Sequence, residues 1–494
     1  MTSLLGLLGI AVVALPLLGA AVIQPVAKGS TVDLVFRIFT ALTTITALSL
    51  AGLIVTLHHP IGKDLMVFDS ASALFLSVSA LVGLGSTLVS PAYLDSAVLF
   101  STKRLFFSEQ RARRWYYLGF ACFWSALLAI PLAGNLGVAW LLVEATTAAS
   151  ALLVGFSGKR SALEAGWKYL VLTTLGLTVA LLGVVMLYST TRGRSLSVLD
   201  WGALSALTSH AHSSALLVAL LLIMAGLAAK VGWAPVHNWL PDAHSEAPPP
   251  VSALLSAALL PSVMLVGWRV KSALYRSVGA HDVSAVFIGF GVVSLAVAVP
   301  FLWRPMPWKR LLAYSSLEHM GVLAIGIGIG TPLALAGVVV HLIAHALAKS
   351  LGFYSATPLF RTQPRAARLP ARGVALSSPG LAAVMGISLG TLSGLPPSPL
   401  FFSEVFILAA AFLAGDLWLG GLATVLLALG FLGILHALIE GLMGSRRQAK
   451  GDGHLGAGFA TLATCATTLL MALAGSAFML PSSAFIHSLF LWAA

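Results

Sequence analysis

The sequence predicts an all-α integral membrane protein of about fourteen transmembrane helices, and three observations carry that expectation. Of its 494 residues, 59% are hydrophobic and only 9% charged, with a mean hydropathy of +0.97, a balance that water-soluble domains do not show. Apolar windows of about 20 residues, the length that spans a bilayer, recur from one end to the other. The polar connections between them, the longest around 90 to 114 and 361 to 374, are too short for a soluble domain.

In chain order the windows are Leu4 to Ile23, Val32 to Leu57, Val67 to Val89, Trp115 to Ile130, Leu132 to Phe156, Ala162 to Tyr188 and Ser214 to Gly232. The second half adds Val251 to Trp268, Val283 to Trp303, Trp308 to Ile329, Leu333 to Leu359, Ala375 to Ala414, Trp418 to Glu440 and Leu455 to Leu480. The first window has no Lys or Arg before it, so it lacks the charged start of a cleavable signal and reads as the first span. The run from Ala375 to Ala414 is too long for one straight span and contains GLPPSP, which makes it a broken helix.

A net charge of +12 would suggest nucleic acid in a soluble protein, but the positive-inside rule accounts for it here. Loops after odd-numbered helices carry Lys28, the group from Lys103 to Arg114, Lys159, Arg160, Arg304, Lys309 and Arg310, four arginines from Arg361 to Arg372, and Arg446, Arg447 and Lys450. That is eighteen basic residues, against six in the opposite loops: Lys63, Arg192, Arg194, Arg269, Lys271 and Arg276. Both termini are therefore expected on the non-cytoplasmic side of a bacterial or archaeal cell membrane.

Two places interrupt the helical pattern alike: KVGWAPVHNWLPDAH in helix 7 and LSGLPPSPLFFSE in helix 12. Each puts Gly and Pro inside a span, beside Lys230 in the first and Glu404 in the second. Irregular backbone is tolerated at membrane depth only where protein or a wet cavity surrounds it. Two broken helices five apart in order point to inverted repeats. The expected organisation is an N-terminal part, 1–114; helices 4 to 8, 115–270; helices 9 to 13, 281–445; and helix 14, 446–494.

A charged side chain at mid-bilayer costs about 2.5 to 3.5 kcal/mol, so Glu144, Lys230, Lys349 and Glu404, left unpaired, would together cost about 10 to 14 kcal/mol. Static ion pairing is one explanation for keeping them. Against it, His341, His345 and Lys349 are spaced i, i+4, i+8, which stacks protonatable groups on one helix face about 6 Å apart. That is the pattern of a hydrated relay. A carboxylate strengthens a buried lysine's hold on its proton, so moving Glu144 toward or away from Lys230 would load or unload it.

His237, Asp242, His244 and Glu246 match no zinc motif and read as a polar, hydrogen-bonded turn at the membrane edge. Glu318 and His319 in AYSSLEHMG are either relay members or a helix-start polar cluster. Lys168 follows Glu164 by four residues, so a local pair is its simplest reading. Cys122 and Cys465 lie in apolar windows and form neither a disulfide framework nor a CxxC site. The expectation is no cofactor and no metal on this chain, with any redox centre on another subunit.

These motifs, with HLIAHALAKS and LPPSPLFFSE, resemble the antiporter-like membrane subunits L, M and N of respiratory complex I and their relatives in Mrp antiporters and group 4 nickel–iron hydrogenases. The resemblance covers roughly residues 60 to 445, and SSLEHMG is most similar to the hydrogenase-4 component F type. It implies fourteen helices, two inverted five-helix repeats with broken helices 7 and 12, and a polar axis through mid-membrane. It places the switching pair on Glu144 and Lys230, the central relay on His319, His341, His345 and Lys349, and the exit on Glu404. Lys168, His237, Asp242, His244 and Glu318 are accessory candidates.

One position departs from the family: where many members carry a helix 8 lysine, this chain has Pro261, with no titratable side chain between Val251 and Trp268. Water could bridge the gap at a proline kink, or the path is broken there. The implied partners are other membrane subunits of a complex I-like or hydrogenase complex, the lipid bilayer, and protons, with sodium as the alternative ion. A stand-alone cation/proton antiporter subunit and a non-conducting scaffold are the rival readings. In each, the chain has no catalytic site of its own.

Overall fold

The computed structural model describes residues 2–56, 60–63, 65–95, 108–190, 199–206, 214–445, 457–477 and 486. Lys103, Arg104, Arg192, Arg194, Arg446, Arg447 and Lys450 of the charge pattern lie outside them.

The described chain is helical apart from one short hairpin. Its main helices are α1 (Thr2–Val22), α2 (Gly29–Val55), α3 (Ser70–Leu94), α4 (Glu109–Ala129), α5 (Leu136–Val154), α6 (Arg160–Thr190) and α7a (Ser214–Val231), which is followed by α7b (Trp239–Glu246). Then come α8 (Pro249–Val278), α9 (Ala280–Leu302), α10 (Trp308–Ile329), α11 (Pro332–Tyr354), α12a (Pro379–Leu392), α12b (Pro399–Leu413), α13 (Leu417–Met443) and α14 (Ala457–Ser476). Among the described residues, 12 helices are long and apolar enough to cross a membrane, and α12a, α12b and the apolar part of α14 are shorter. Both interruptions expected from the sequence are present. With that composition and length, the chain is a multi-pass integral membrane protein.

At two starts where the windows and the helices differ, capping explains the difference. The window from Val67 begins with strand β2 (Met66–Phe68), antiparallel to β1 (Ile61–Lys63), because the helix waits for Asp69, whose side chain accepts from the Ser72 amide at 2.6 Å. Helix α4 starts at Glu109 rather than Trp115, since Ser108 caps it by accepting from the Arg111 amide at 3.3 Å. Arg111, Arg113 and Arg114, expected in a loop, therefore ride on a helix. Arg113 is buried there, bonded to Asp33 and Asp95, and Tyr117 donates to Asp33 at 2.8 Å.

The helices sort by enclosure. α8, α10 and α11 are almost wholly surrounded by protein, whereas α1, α2, α6 and α13 leave much of their apolar surface uncovered by the rest of the chain. Small residues let the inner helices approach closely. A side-chain carbon on Gly183 of α6 would lie 2.8 Å from the Ala219 carbonyl of α7a, and one on Gly321 of α10 would lie 2.9 Å from the Gly291 carbonyl of α9.

At the first break the freed backbone groups find side-chain partners, as a non-aqueous interior requires. Gly232 turns the chain with φ +78°, the Trp239 indole donates to the Ala229 carbonyl at 2.6 Å, and the Ala234 amide donates to the Ser294 hydroxyl at 3.1 Å. At the second, Gly394 turns with φ +73°, and Ser398 caps α12b through the Phe401 amide.

Inside α8, residues Leu255–Leu259 form a π turn just before Pro261, which has no N–H to offer the preceding turn. The other end of α8 is anchored by Arg269, whose guanidinium reaches both Asp69 oxygens at 3.1 and 3.0 Å and the Ser72 hydroxyl at 2.8 Å. Replacing Arg269 by Met strands the Asp69 carboxylate in a buried site, a loss of about 3–5 kcal/mol. Thermal unfolding in detergent should show a clearly lowered Tm, partly restored by adding Asp69→Asn. An unchanged Tm would remove this pair as the anchor of α8.

Candidate functional site

Lys230 stands in the last turn of α7a, just before the chain breaks, and is fully buried. Its ammonium donates to the Thr147 hydroxyl at 2.7 Å and the Tyr169 hydroxyl at 2.5 Å, and it lies 4.6 Å from the Tyr169 ring centre. The donors then run onward in one direction. Tyr169 meets the Ser150 hydroxyl at 2.8 Å, and Ser150 donates to the Thr146 carbonyl at 2.5 Å. Two hydroxyls, one on α5 and one on α6, thus replace the water the ammonium has left.

Glu144 is on α5, three residues before Thr147, yet no ion pair joins it to Lys230. One of its oxygens accepts from the Thr174 hydroxyl at 2.9 Å, and the other is buried without a partner. In this state the lysine is held by hydroxyls and the glutamate is set aside.

The second cluster is built on α10, α11 and the α12 break. Lys349 donates to the Leu312 carbonyl at 2.5 Å and to the Ser315 hydroxyl, both on α10. His341 and His345 stack at 6.3 Å between ring centres, one helical turn apart, and His319 lies 5.1 and 5.2 Å from them. Glu318 and His319 sit mid-helix and buried, which excludes the helix-start reading. The Glu318 carboxylate fits against Gly430 of α13, where any side-chain carbon would collide with it. Glu404 is seated likewise against Gly394 of the break, where a side-chain carbon would come within 2.6 Å of its carboxylate.

Between the clusters runs α8. From its π turn the Ser256 hydroxyl meets the Ser316 hydroxyl of α10 at 2.8 Å, beside the Ser315 that holds Lys349.

The group from His237 to Glu246 is not a turn at the edge. Trp239–Glu246 is helix, and His244 is fully buried, stacked 5.3 Å from Phe353, with neither ring nitrogen hydrogen-bonded. His237 is buried in the break, and Asp242 pairs with Arg310 at 3.1 Å and Lys168 at 3.6 Å. Lys168 also pairs with Glu164 at 2.6 Å and stays about half exposed, apart from the buried groups. The structure does not gather His237, Asp242, His244 and Glu246 into a metal site. Among the described residues, the trio whose donor atoms come together is His319, His341 and Glu404, all within 4.8 Å of one another.

Sequence reasoning missed Thr147, Ser150, Tyr169, Thr174, Ser315 and Ser403. Hydroxyls in apolar helices carry little signal, because most of them bond their own backbone.

A profile of the transmembrane family described as NADH:quinone oxidoreductase/Mrp antiporter matches residues 133–430. The chain is 29% identical over 452 residues to the hydrogenase-4 component F homolog of Methylacidiphilum infernorum (isolate V4), covering 90% of each. Its fold matches a chain of the membrane-bound sulfane sulfur reductase, an archaeal respiratory membrane complex, with a TM-score of 0.83 at 21% identity, covering 98% of both. It matches a chain of the Mrp complex from Dietzia sp. DQ12-45-1b with a TM-score of 0.81 at 20% identity, covering 100% of both. At those identities the two structures share the fold.

Tyr169→Phe tests the lysine's seat. A hydrogen bond to a charged group contributes about 1.5–3 kcal/mol, so the variant should unfold at a distinctly lower temperature. Loss of that effect in a Lys230→Met background would assign it to the lysine bond, whereas an unaltered Tm in the single variant would take Tyr169 out of the site.

Proposed function

Because the chain belongs to the NADH:quinone oxidoreductase/Mrp antiporter transmembrane family, we propose that it is the proton-translocating membrane subunit of a complex I-like assembly of hydrogenase type. The observation that carries this reading is the set of ionisable side chains Lys230, Glu318, His319, His341, His345 and Lys349, all buried, together with the half-buried Glu404. The two lysines are held by hydroxyls and a backbone carbonyl, and the whole set lies beside or between two helix breaks. Groups so placed can take up and release protons without forming fixed ion pairs, as a relay requires and a static scaffold does not.

In this reading fourteen spans form two inverted five-helix halves, 115–270 and 281–445, around the breaks, and both termini lie on the non-cytoplasmic side. Glu144 and Lys230 form the switch: the carboxylate's approach loads the lysine, and its withdrawal releases the proton toward α8. Lys349, with His319, His341 and His345, receives it, and Glu404 passes it on. Moving one charge against 100 mV costs about 2.3 kcal/mol, so the assembly needs energy from redox chemistry on another subunit. The likeness to the hydrogenase-4 component F homolog over most of both chains supports the hydrogenase-type assignment.

Lys230→Met should abolish proton uptake by native membranes containing the intact complex while leaving its assembly unchanged, as read by a pH-sensitive dye and by native gels. Purification from native membranes in mild detergent, with mass spectrometry, should recover hydrogenase-like and iron–sulfur subunits. Unchanged uptake would sink the relay. Recovery of only antiporter-like and small membrane subunits would make cation exchange the function.

A further inference from the structure

His319, His341 and Glu404 come from α10, α11 and α12b, and their donor atoms converge within 4.8 Å of one another. The hydrogen bonds assign the histidine tautomers. Ser403 donates its hydroxyl proton to the Leu400 carbonyl at 2.9 Å, so its oxygen accepts from His341 Nδ1 at 2.8 Å. That leaves a lone pair on His341 Nε2, which accepts from His319 Nδ1 at 3.2 Å, while His319 Nε2 is buried with no partner.

Two ligands on a tetrahedral zinc ion, each about 2.1 Å from the metal, stand about 3.4 Å apart. The His341–His319 nitrogen pair already has that spacing, and Ser403 orients the inner histidine as an outer-shell partner does. Two neutral imidazoles and a carboxylate are a donor set that zinc prefers and sodium does not. Three protein donors leave the fourth tetrahedral position to a water molecule.

We propose that His319, His341 and Glu404 form a binding site for a zinc-class divalent ion, which ties α10, α11 and α12b together and stops transport. On binding, the ion takes the lone pair of His341 Nε2, and the proton on His319 Nδ1 moves to the unpartnered Nε2 of the same ring. The blocking part rests on the relay reading above; the binding part does not.

The test uses purified, tag-free full-length protein with Co²⁺ as a spectroscopic probe. One equivalent should give the intense visible absorption of tetrahedral cobalt, be displaced by Zn²⁺, and disappear in Glu404→Gln and His341→Asn. Lys230→Met should retain it. Ser403→Ala should weaken binding about 10- to 100-fold. Since a buried substitution can unfold the chain, Tm is followed as well: Zn²⁺ should raise it in the wild type and leave it unmoved in Glu404→Gln. Absence of saturable binding, or equal binding by wild type and both ligand variants, overturns the site. If cobalt binds as stated while Lys230→Met leaves proton uptake intact, the relay fails and the site stands. If Lys230→Met abolishes uptake and no cobalt binds, the site fails and the relay stands.

Discussion

An ammonium ion inside an apolar helix bundle has to be solvated by the protein itself, and much of this structure follows from that constraint. Leaving water without replacement would cost several kcal/mol per ion. Lys230 is given two hydroxyls and an aromatic face, and Lys349 a carbonyl and a hydroxyl. Neither is given a carboxylate in contact. A tight ion pair would fix each charge in place, whereas neutral oxygens leave the proton's residence open to small shifts in a neighbouring charge.

The same constraint bears on the breaks. A continuous α-helix uses its own carbonyls and amides, so it offers little to a buried charge. Interrupting α7 beside Lys230 and α12 beside Glu404 frees backbone groups, and the sequence supplies Trp239, Ser294 and Ser398 to take them up. Glycine does a second job at these places. Gly394 and Gly430 leave the volumes that the Glu404 and Glu318 carboxylates occupy, so the acidic groups are positioned as much by missing side chains as by bonds.

This explains what could be read along the chain. Apolar windows, broken spans and charged residues in them are local properties, and Trp308–Ile329 coincides with its window to the residue. The identity of the partners is not local. Thr147, Tyr169 and Ser315 lie 83, 61 and 34 residues from the lysines they hold, and each belongs to a helix full of similar residues. Arg113 misled for a related reason: beside Arg111 and Arg114 it looks like a loop charge, and only the fold sets Asp33 against it. His244 looked like part of a polar edge because its neighbours Asp242 and Glu246 are acidic, yet helix geometry turns it inward against Phe353.

Pro261 is where the constraint is met in the least expected way. With no titratable side chain between Val251 and Trp268, α8 has no charge to place between the two clusters. The proline removes a backbone donor, and the π turn before it rearranges the ladder. Along that turn Ser256 reaches Ser316, next to the serine that holds Lys349. A hydroxyl donates and accepts at once, so it can hand a proton's place along a chain without ever bearing a stable charge. A lysine at this point would need its own solvating shell inside an enclosed helix. A serine is neutral and needs no such shell, and α8 stays packed on every side.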